Sequence, residues 1–407
     1  MQEQQYLNIR TESPADQAFI RHLKEFNAFG TPTAVESLDG IDYYINEFWT
    51  ARQRQANRLH EVSYRACFKP QLPRFFIERL TAPGDVVYDP FMGRGTTPLE
   101  AALLERTPYG NDTNPLSRAL LEPRLKPPSF KAIEKRLRSI PWDSFTEAAS
   151  PDLLTFYHPK TLAHLEGLRG WLLTRAASDE LDAIDKWIRM VAINRLTGHS
   201  AGFFSVYTLP PNQAVTVARQ KLINEKRQQT PPLRDVTAII LKKSKSLLSQ
   251  EHPECKRSLL CTAQSSHTPE IPDACVQLTV TSPPFLDVVD YEGDNWLRCW
   301  FLGIDPKAVN IASHRKVTDW QNFIRATLVE LARITKPGGS IAFEVGEVRN
   351  GTIKLEQNVI AAARGLPLHP LGVMINQQDF TKTSNCWGVV NNSSGTNSNR
   401  IVVLRRH

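Results

Sequence analysis

Short apolar runs alternate with amphipathic stretches in two parts of the chain. TAPGDVVYDPFMGRGTTPLEAALLE (81–105) has the pattern of a turn, a β-branched strand, a glycine loop and a helix, and RTPYGNDTNPLSRALLEP (106–123) repeats strand and helix. Later runs, RSLLCTA, VQLTVT and GSIAFEV, are typical of buried strands. Strands that alternate with helices predict an α/β protein with a doubly wound sheet.

A long stretch without strand patterning separates the two sets of strands. Residues 125–254 have mostly helical periodicity, interrupted by Pro-Pro pairs at 127, 210 and 231, and predict a large helical insertion. The last two runs, MINQQDFTK and NRIVVLRR, predict an antiparallel hairpin. Helical spacing over 43–63 predicts that residues 1–60 form a helical extension. The sheet is then built in two halves, 61–124 and 255–407.

Composition narrows the class of protein. With 407 residues, 41% of them hydrophobic and 22% charged, the chain has the composition of a soluble globular protein. It contains no apolar run of about 18 residues and no apolar signal near its start, so neither a membrane span nor a secretory leader is expected. Its six cysteines are scattered without a CxxC pair, which predicts reduced thiols in a cytoplasmic protein and no metal site.

The positive charge is concentrated in one segment. The chain has a formal net charge of +7, but residues 186–245 contain eleven Lys or Arg against two acidic residues, so this segment alone carries +9. A local excess of this size indicates contact with a polyanion. A solvated helical face is the alternative, and charge alone does not decide between them.

The glycine loop DPFMGRGTT directly follows a predicted strand. Gly93 and Gly95 allow the backbone to approach a ligand closely, and the helix that follows presents free N–H groups. Pro98 stands where a dinucleotide fingerprint needs its third glycine, and no GK[ST] follows as in a phosphate-binding loop. Asp112, 23 residues after Asp89, ends the next strand, where it can accept ribose hydroxyl bonds or form an Asx turn.

The segment TVTSPPFLD ends a buried strand abruptly. Proline lacks a backbone donor and fixes φ, so Pro283 and Pro284 stop the strand that begins with VQLTVT. Taken alone, Ser282 to Phe285 is a strand-terminating turn with a core phenylalanine. Its occurrence beside a glycine loop gives it a second interpretation.

Together, DPFMGRGTT and TSPPF resemble the motif pair of S-adenosylmethionine-dependent DNA amino-methyltransferases, which modify N4 of cytosine or N6 of adenine. The first motif is similar to the family's cofactor motif, DPFxGxGTT, at Asp89, Pro90, Phe91, Gly93, Gly95, Thr96 and Thr97. FKPQLPRFFI resembles a second cofactor-side motif at Phe68, Leu72, Pro73 and Ile77. The chain departs from the pattern at Ala263, where an aspartate is common.

The resemblance implies a Rossmann-like methyltransferase sheet with a cofactor-binding half (61–124) and a catalytic half (255–407). It implies S-adenosyl-L-methionine as cofactor, bound by Phe68, by the seven DPFxGxGTT positions and by Asp112. It also implies catalysis by Ser282, Pro283, Pro284 and Phe285 on a base flipped out of duplex DNA, which costs a few kcal/mol. Ser282 and a proline carbonyl would accept hydrogen bonds from the amino group, and Phe285 would stack on the ring for about 1–3 kcal/mol.

The target base and the substrate are less specific expectations. Family members with serine before the two prolines are mostly cytosine-N4 enzymes, so we expect N4-cytosine, with N6-adenine as the alternative. RNA amino groups, or a non-catalytic nucleic-acid-binding module, remain open. A restriction enzyme that reads the same site is a conceivable partner.

The helical insertion is the expected target-recognition region, because it carries the basic segment. Within it, NRLTGHSAGFFSVYTLPPNQAV looks like a loop presented to DNA, and VARQKLINEKRQQ like a basic helix suited to phosphates or a groove. A structural lid is the alternative. The expected DNA contacts are Arg195, His199, Arg219, Lys221, Lys226, Arg227 and, as a second stacking face, Trp387.

Overall fold

The computed structural model describes residues 13–50, 56–65, 67–143, 150–208, 214–284, 291–309, 311–312, 314–348, 353–377 and 398–407. Its strands are β1 Ala34–Leu38, β2 Ile41–Asn46, β3 Val86–Asp89, β4 Thr107–Asn111, β5 Leu259–Cys261, β6 Val276–Thr281, β7 Thr335–Val345, β8 Glu347–Val348, β9 Ile353–Lys354, β10 Leu368–Gln377 and β11 Ser398–Arg406. Its α-helices are α1 Pro14–Lys24, α2 Gln71–Leu80, α3 Thr96–Leu103, α4 Pro115–Leu125, α5 Phe130–Ser139, α6 Pro159–Ala177, α7 Ala183–Ile193, α8 Val217–Arg227, α9 Val236–Leu247, α10 Tyr291–Leu302, α11 Val317–Ile334 and α12 Leu355–Ala363.

The main sheet has the order β1-β2-β10-β11-β7-β6-β3-β4-β5. Its strands β5, β4, β3, β6 and β7 are mutually parallel. Counted along the chain, these five strands lie in the order 3-2-1-4-5, which is the Rossmann-like doubly wound arrangement. The predicted α/β fold class is therefore confirmed. The strand order reverses between β3 and β6, where such sheets bind their ligands beyond the carboxyl ends of the strands.

The last two long strands form the predicted antiparallel hairpin. β10 and β11 pair over their full lengths, from Leu368 opposite Arg406 to Gln377 opposite Ser398. β11 also pairs with β7 in the antiparallel direction, so it lies inside the sheet between β10 and β7. This arrangement brings the start of β11 to the edge where the parallel strands end.

The N-terminal region differs from the prediction. Residues 43–63 were expected to be helical, but Ile41–Asn46 is a strand that pairs in parallel with β10 and in antiparallel with β1. Tyr43 packs on one face of the sheet and Tyr44 on the other. A strand buried on both faces has consecutive apolar residues, and a short apolar run of this kind cannot be told from a helix by periodicity. Within 1–60, a helix of 11 residues is present at α1.

Helices cover both faces of the sheet. Phe75, Phe76 and Ile77 of α2 pack with α1 and with Val87 on one face. Trp320 and Leu328 of α11 pack with α12 on the other face, against residues such as Tyr88, Ile341 and Phe343. Alternate residues of each strand thus enter opposite cores, as the period of two requires.

The insertion between β4 and β5 is helical, as predicted, and does not have a separate core. Its buried residues, among them Phe156, Leu165 and Trp187, belong to one apolar cluster with Leu120 and Leu121 of α4 and with Leu297 and Phe301 of α10. The insertion is therefore packed onto the methyltransferase-like sheet through α4 and α10. None of the described helices combines the length and the apolar character that a bilayer crossing needs.

Candidate active site

A cavity opens at the carboxyl ends of the parallel strands, on both sides of the reversal point. It contains about 750 Å³ of space that protein atoms do not fill, part of it open to solvent. Its walls are formed by Tyr64, Cys67, Pro90, Phe91, Gly93, Asp112, Thr113, Asn114, Gln264, Ser265, Ser282, Pro283, Pro284, Ile311, Ala312 and Phe323. Residues of the glycine loop and the first three residues of the SPPF segment (Ser282–Phe285) therefore border one space. Phe285 lies outside the described residues.

The glycine loop is held open toward this cavity by its backbone conformation. Gly93 has φ of 49° and Gly95 has φ of 79°, values that other residues adopt only with strain. A Cβ added to Gly95 would lie 2.7 Å from a side-chain carbon of Leu121, so α4 also requires glycine at this position. The loop can thus present the backbone of Gly93 directly to a ligand.

Asp112 joins the loop to the end of β4. Its Oδ2 accepts a hydrogen bond from the Gly93 N–H at 2.9 Å, and its Oδ1 accepts one from the Asn114 N–H, also at 2.9 Å. The second bond is the Asx turn that the sequence allowed. Burial raises the pKa of the Asp112 carboxyl group, and its hydrogen bonds oppose this effect. The residue lines the cavity while these bonds hold its orientation.

Asp89 connects the loop to the strand that carries the SPPF segment. Its Oδ1 accepts a hydrogen bond from the Thr281 hydroxyl at 2.6 Å and one from the Phe91 N–H at 3.0 Å. The side chain is only 1% exposed, and burial raises its pKa to about 7. Asp89 thus fixes β3 and β6 to each other at the reversal point and does not itself line the cavity wall.

Four other predicted cofactor residues lie behind the cavity wall. The Thr97 hydroxyl donates to the Val280 carbonyl at 3.0 Å, and the Thr96 hydroxyl accepts from Arg94 Nε at 3.1 Å. Phe68 packs against the core of one sheet face, and Gly95 begins α3. The contacts that the structure gives these four residues hold the loop, whereas Pro90, Phe91, Gly93 and Asp112 border the cavity.

The SPPF segment is anchored from behind by α11. Trp320, which is fully buried, donates from Nε1 to the Pro284 carbonyl oxygen at 2.9 Å. Because this bond occupies the Pro284 carbonyl, the other backbone acceptors of the segment are the better candidates for a ligand. Sequence reasoning did not identify Trp320, since a tryptophan in an amphipathic helix is typical of a core residue.

Glu344 is a further residue that sequence reasoning missed. It lies near the end of β7, is 6% exposed, and accepts hydrogen bonds from the Ser282 side chain and from Asn399 Nδ2, the latter at 2.9 Å. Burial raises the pKa of its carboxyl group. Because the Ser282 hydroxyl donates its hydrogen bond to Glu344, the lone pairs of its oxygen remain available to accept hydrogen bonds from a ligand.

Gln264 also borders the cavity without having been predicted as a site residue. Gln264 directly follows Ala263, the position where the family pattern has an aspartate, and it lines the cavity where Ala263 does not. The Ala263 backbone is tied to Asn111 by two 3.0 Å hydrogen bonds. The signal available in the sequence was the polar residue next to the missing aspartate.

The residues predicted to contact DNA lie in two groups within the insertion. Arg195 is packed over the Phe203 ring at 4.1 Å, and burial lowers its pKa to about 10. His199 is exposed near the same ring. Arg219, Lys221, Lys226 and Arg227 are exposed on α8, where Arg227 also lies 3.8 Å from the Tyr207 ring centre. Trp387 lies outside the described residues.

Part of the basic segment is neutralised by acidic residues from elsewhere in the chain. Lys186 pairs with Glu122 and Lys243 pairs with Glu61, each at 2.6 Å. A count along the sequence cannot include these distant partners. The charge available to a polyanion is therefore smaller than +9 and lies mainly on α8 and on the exposed side of α9. Among the described residues, no group of three His, Cys, Asp or Glu is placed to hold a metal ion.

The chain is similar to known DNA methylases over parts of its length. The family model described as DNA methylase matches residues 16–119. The type II methyltransferase M.BsoBI of Geobacillus stearothermophilus is 24% identical over 308 residues, covering 63% of this chain and 55% of the relative. The type II methyltransferase M.MjaII of Methanocaldococcus jannaschii is 30% identical over 86 residues, covering 21% of this chain and 16% of the relative. The solved structure of TrmN from Thermus thermophilus aligns with a TM-score of 0.32 at 14% identity, covering 84% of this chain and 50% of that one.

Proposed function

We propose that this chain is an S-adenosylmethionine-dependent DNA amino-methyltransferase and that it methylates the N4 amino group of cytosine in duplex DNA, as its similarity to DNA methylases supports. The observation that carries the proposal is the common cavity of the glycine loop and the SPPF segment. It would bring a cofactor bound at β3 and β4 next to a base bound at β6. A methyl group that is already activated needs only alignment with the amino nitrogen, which supplies much of the rate.

The residues at the loop side fit the family's cofactor. When bound, S-adenosylmethionine supplies an electrophilic methyl group on a sulfonium ion. Asp112 offers carboxylate lone pairs for ribose hydroxyls, and the open backbone at Gly93 allows close approach. Phe91 and Phe323, whose ring centres lie 5.6 Å apart, offer apolar surface, and Gln264 offers an amide for a purine edge.

The residues at the SPPF side fit an exocyclic amino group. The amino nitrogen of a base is a weak nucleophile because its lone pair is delocalised into the ring. Ser282 Oγ and the Pro283 carbonyl would accept its two N–H bonds and draw the nitrogen toward a tetrahedral geometry. This would free the lone pair for the new N–C bond. The base would reach this place by flipping out of the duplex.

Glu344 completes the proton balance of this scheme. After transfer the nitrogen carries a positive charge and must release one proton. We place that proton on Ser282 Oγ as the Ser282 hydroxyl proton moves to Glu344. A carboxyl group whose pKa is raised by burial and which accepts a hydrogen bond from Ser282 is suited to receive it.

Transfer of labelled methyl groups to duplex DNA, followed by hydrolysis to nucleosides, tests the function and the base together. We expect N4-methylcytosine. N6-methyladenine alone would refute the choice of base, and transfer to structured RNA but not to DNA would refute the choice of substrate. Cofactor binding without methyl transfer to either DNA or RNA would indicate a non-catalytic nucleic-acid-binding module.

Ser282→Asp tests the role of the residue before the prolines. The new carboxylate would lie beside buried Glu344, and the two negative charges would repel each other. The substitution would also remove the hydroxyl of a residue that borders the cavity. We expect cytosine methylation to fall much more than S-adenosylmethionine affinity, measured by calorimetry. Equal losses of methylation and of S-adenosylmethionine affinity would indicate that Ser282 only supports the fold.

A restriction enzyme partner and a cytoplasmic location remain predictions from the sequence.

The exposed cations of α8 are proposed to contact DNA. Replacing Arg219, Lys221, Lys226 and Arg227 together by Ala should weaken duplex binding and flatten its dependence on salt, since fewer counterions would be released. Binding isotherms at several NaCl concentrations measure both effects. Unchanged binding would remove α8 from the interface.

A further inference from the structure

A second depression lies in the insertion, away from the cavity that holds the SPPF segment. It contains about 860 Å³ of space that protein atoms do not fill, much of it open to solvent, and is formed by the exposed side of α9, the turn before that helix and part of the 195–202 loop. We call it the basic groove. Its lining residues are Arg195, Ala201, Gly202, Leu233, Arg234, Asp235, Ala238, Ile239, Lys242, Lys243 and Ser246.

The floor of the basic groove is one continuous face of a helix. The lining positions of α9 and its cap follow the spacing 235, 238, 239, 242, 243 and 246, which is the repeat of a single helical face. The opposite face, with Val236, Ile240, Ser244 and Leu247, is buried in the core. The groove is thus a regular surface on a well-supported helix of 12 residues, about 18 Å long.

The charge of the groove is strongly positive. Four of its lining residues, Arg195, Arg234, Lys242 and Lys243, are cationic, and Asp235 is the only acidic one in the set. Asp235 is occupied as the cap of α9, where it accepts from the Ala238 N–H at 2.9 Å. Lys243 is paired with Glu61, which leaves three cations facing one carboxylate, Asp235, in the described part of the site.

Two of these cations, Arg234 and Lys242, are incompletely compensated within the described residues. The buried Nε of Arg234 has no hydrogen-bond partner among the described residues. Lys242 is exposed and forms no ion pair within the described part of the chain. Burial lowers the pKa of Lys243, its hydrogen bond and charge interaction with Glu61 raise it, and the charges of Arg195 and Arg58 lower it, so neighbouring cations repel one another across the groove. A ligand with negative charge would relieve this repulsion.

We propose that the basic groove binds the phosphodiester backbone of duplex DNA at a distance from the reacting base. One DNA strand presents a phosphate every 3.4 Å along the axis, so the length of α9 is enough to follow several of them. Ala238, Ile239 and Leu233 add apolar surface suited to deoxyribose. This inference rests on the proposed function and extends it by naming a backbone contact that is independent of base sequence.

Lys242→Gln tests the groove, with Lys245→Gln as its matched control. Lys245 is an exposed lysine of the same helix that does not line the groove, so both variants remove one charge from α9. Loss of one phosphate contact should reduce the slope of log K against log salt by about 1 and weaken binding three- to tenfold at 0.15 M salt. We expect this for Lys242→Gln, equally on methylatable and unrelated duplexes, and not for Lys245→Gln.

A second variant, Arg234→Gln, removes another cation of the groove. Because the Arg234 side chain is partly buried, thermal melting is used to check that this variant is folded. For Lys242→Gln, S-adenosylmethionine affinity and turnover at saturating DNA should stay at the wild-type values. Equal effects of Lys242→Gln and Lys245→Gln would overturn the groove in favour of diffuse attraction. Wild-type salt slopes in Lys242→Gln and Arg234→Gln, with methyl transfer intact, would overturn the groove alone. Failure of the wild-type chain to bind or methylate DNA would overturn the proposed function as well.

Discussion

Two buried carboxylates lie on either side of the strand that carries the SPPF segment. Asp89 on β3 accepts a hydrogen bond from the Thr281 hydroxyl, and Glu344 on β7 accepts a hydrogen bond from the Ser282 hydroxyl. Successive residues of a strand point in opposite directions, so adjacent residues can each reach a different carboxylate. The two acids have different surroundings: Asp89 is enclosed by structural bonds, whereas Glu344 is one hydrogen bond from the cavity.

Glu344→Gln should separate proton acceptance from binding. The amide keeps the shape of the side chain and can still accept from Ser282, but it cannot take up a proton. We expect kcat to fall about 10²-fold or more while S-adenosylmethionine affinity changes little. In the wild-type chain kcat should rise with pH as Glu344 ionises, and the variant should lose this limb. A wild-type pH profile in the variant would contradict the role.

Asp89→Asn should change the pH dependence of stability. Burial raises the pKa of Asp89 from 3.8 to about 7, so the folded state holds a proton that the unfolded state releases. The stability from this proton is present below pH 4 and is lost as pH rises through 7. The hydrogen bonds from Thr281 and Phe91 go to Oδ1, which an asparagine oxygen can replace. The free energy of unfolding in urea should therefore favour the variant more at pH 8 than at pH 4, and a constant difference would contradict this assignment.

Some residues that the sequence singled out, such as Gly93, Asp112 and Ser282, line the cavity in the structure. The sequence did not reveal Glu344 or Trp320, because the roles of both depend on neighbours distant in the chain. A single acidic residue inside the apolar run GSIAFEV was the only available signal for Glu344. The DPFxGxGTT motif also contains residues, such as Thr97, whose contacts in the structure are to the protein itself.

At the scale of elements, the unit of β3, glycine loop and α3 is shaped by close packing against α4. Gly95 and Gly84 both have positive φ, 79° and 86°. A Cβ at Gly95 would meet three atoms of Leu121 within 2.9 Å, including its Cβ, while a Cβ at Gly84 would meet nothing within 4 Å. A comparison of alanine substitutions at the two glycines therefore distinguishes the cost of backbone strain from the cost of steric overlap.

Gly84→Ala and Gly95→Ala form a matched pair. Gly84→Ala should cost about 1–2 kcal/mol, because an L-residue is strained at this φ. Gly95→Ala should cost about 1–3 kcal/mol more, because Leu121 or the loop must move. Urea denaturation measures the stability, and calorimetry should show weaker S-adenosylmethionine binding only for Gly95→Ala. Equal costs would mean that α4 can shift freely.

The elements that the sequence predicted best were a strand rich in β-branched residues that ends at two prolines, and a long stretch of helical spacing. The strand VQLTVT and the helical insertion follow their expected positions. β2 was assigned wrongly because both of its faces are buried. The position of β11 between β10 and β7 could not be read from the sequence, since either edge of a hairpin can dock on a sheet.

At the scale of the whole molecule, the insertion shares one apolar core with α4 and α10. Trp187 and Phe156 from the insertion belong to the same cluster as Leu121 and Phe301 from α4 and α10. A protein segment whose core is completed by its neighbours loses that burial when it is isolated. Movement of the insertion would therefore be transmitted to α10, which follows the SPPF segment.

Residues 125–254 expressed alone should not fold cooperatively. We expect a broad thermal transition by circular dichroism and binding of a hydrophobic dye, since the surface normally covered by α4 and α10 is exposed. A longer piece that begins at residue 113 and so retains α4 should be more compact but still incomplete. A sharp two-state transition of the isolated segment would show that the insertion is an independent domain.

The interior position of β11 has a consequence for biosynthesis. Synthesis delivers β7 and β10 before β11, although β11 pairs with both of them. Until residues 398–406 leave the ribosome, each of the two earlier strands has an open hydrogen-bonding edge, and the sheet lacks one of its inner strands. Open edges attract other strands. In that interval the nascent chain therefore presents two strand edges to which other chains can pair, at the end of the sheet that also carries Glu344.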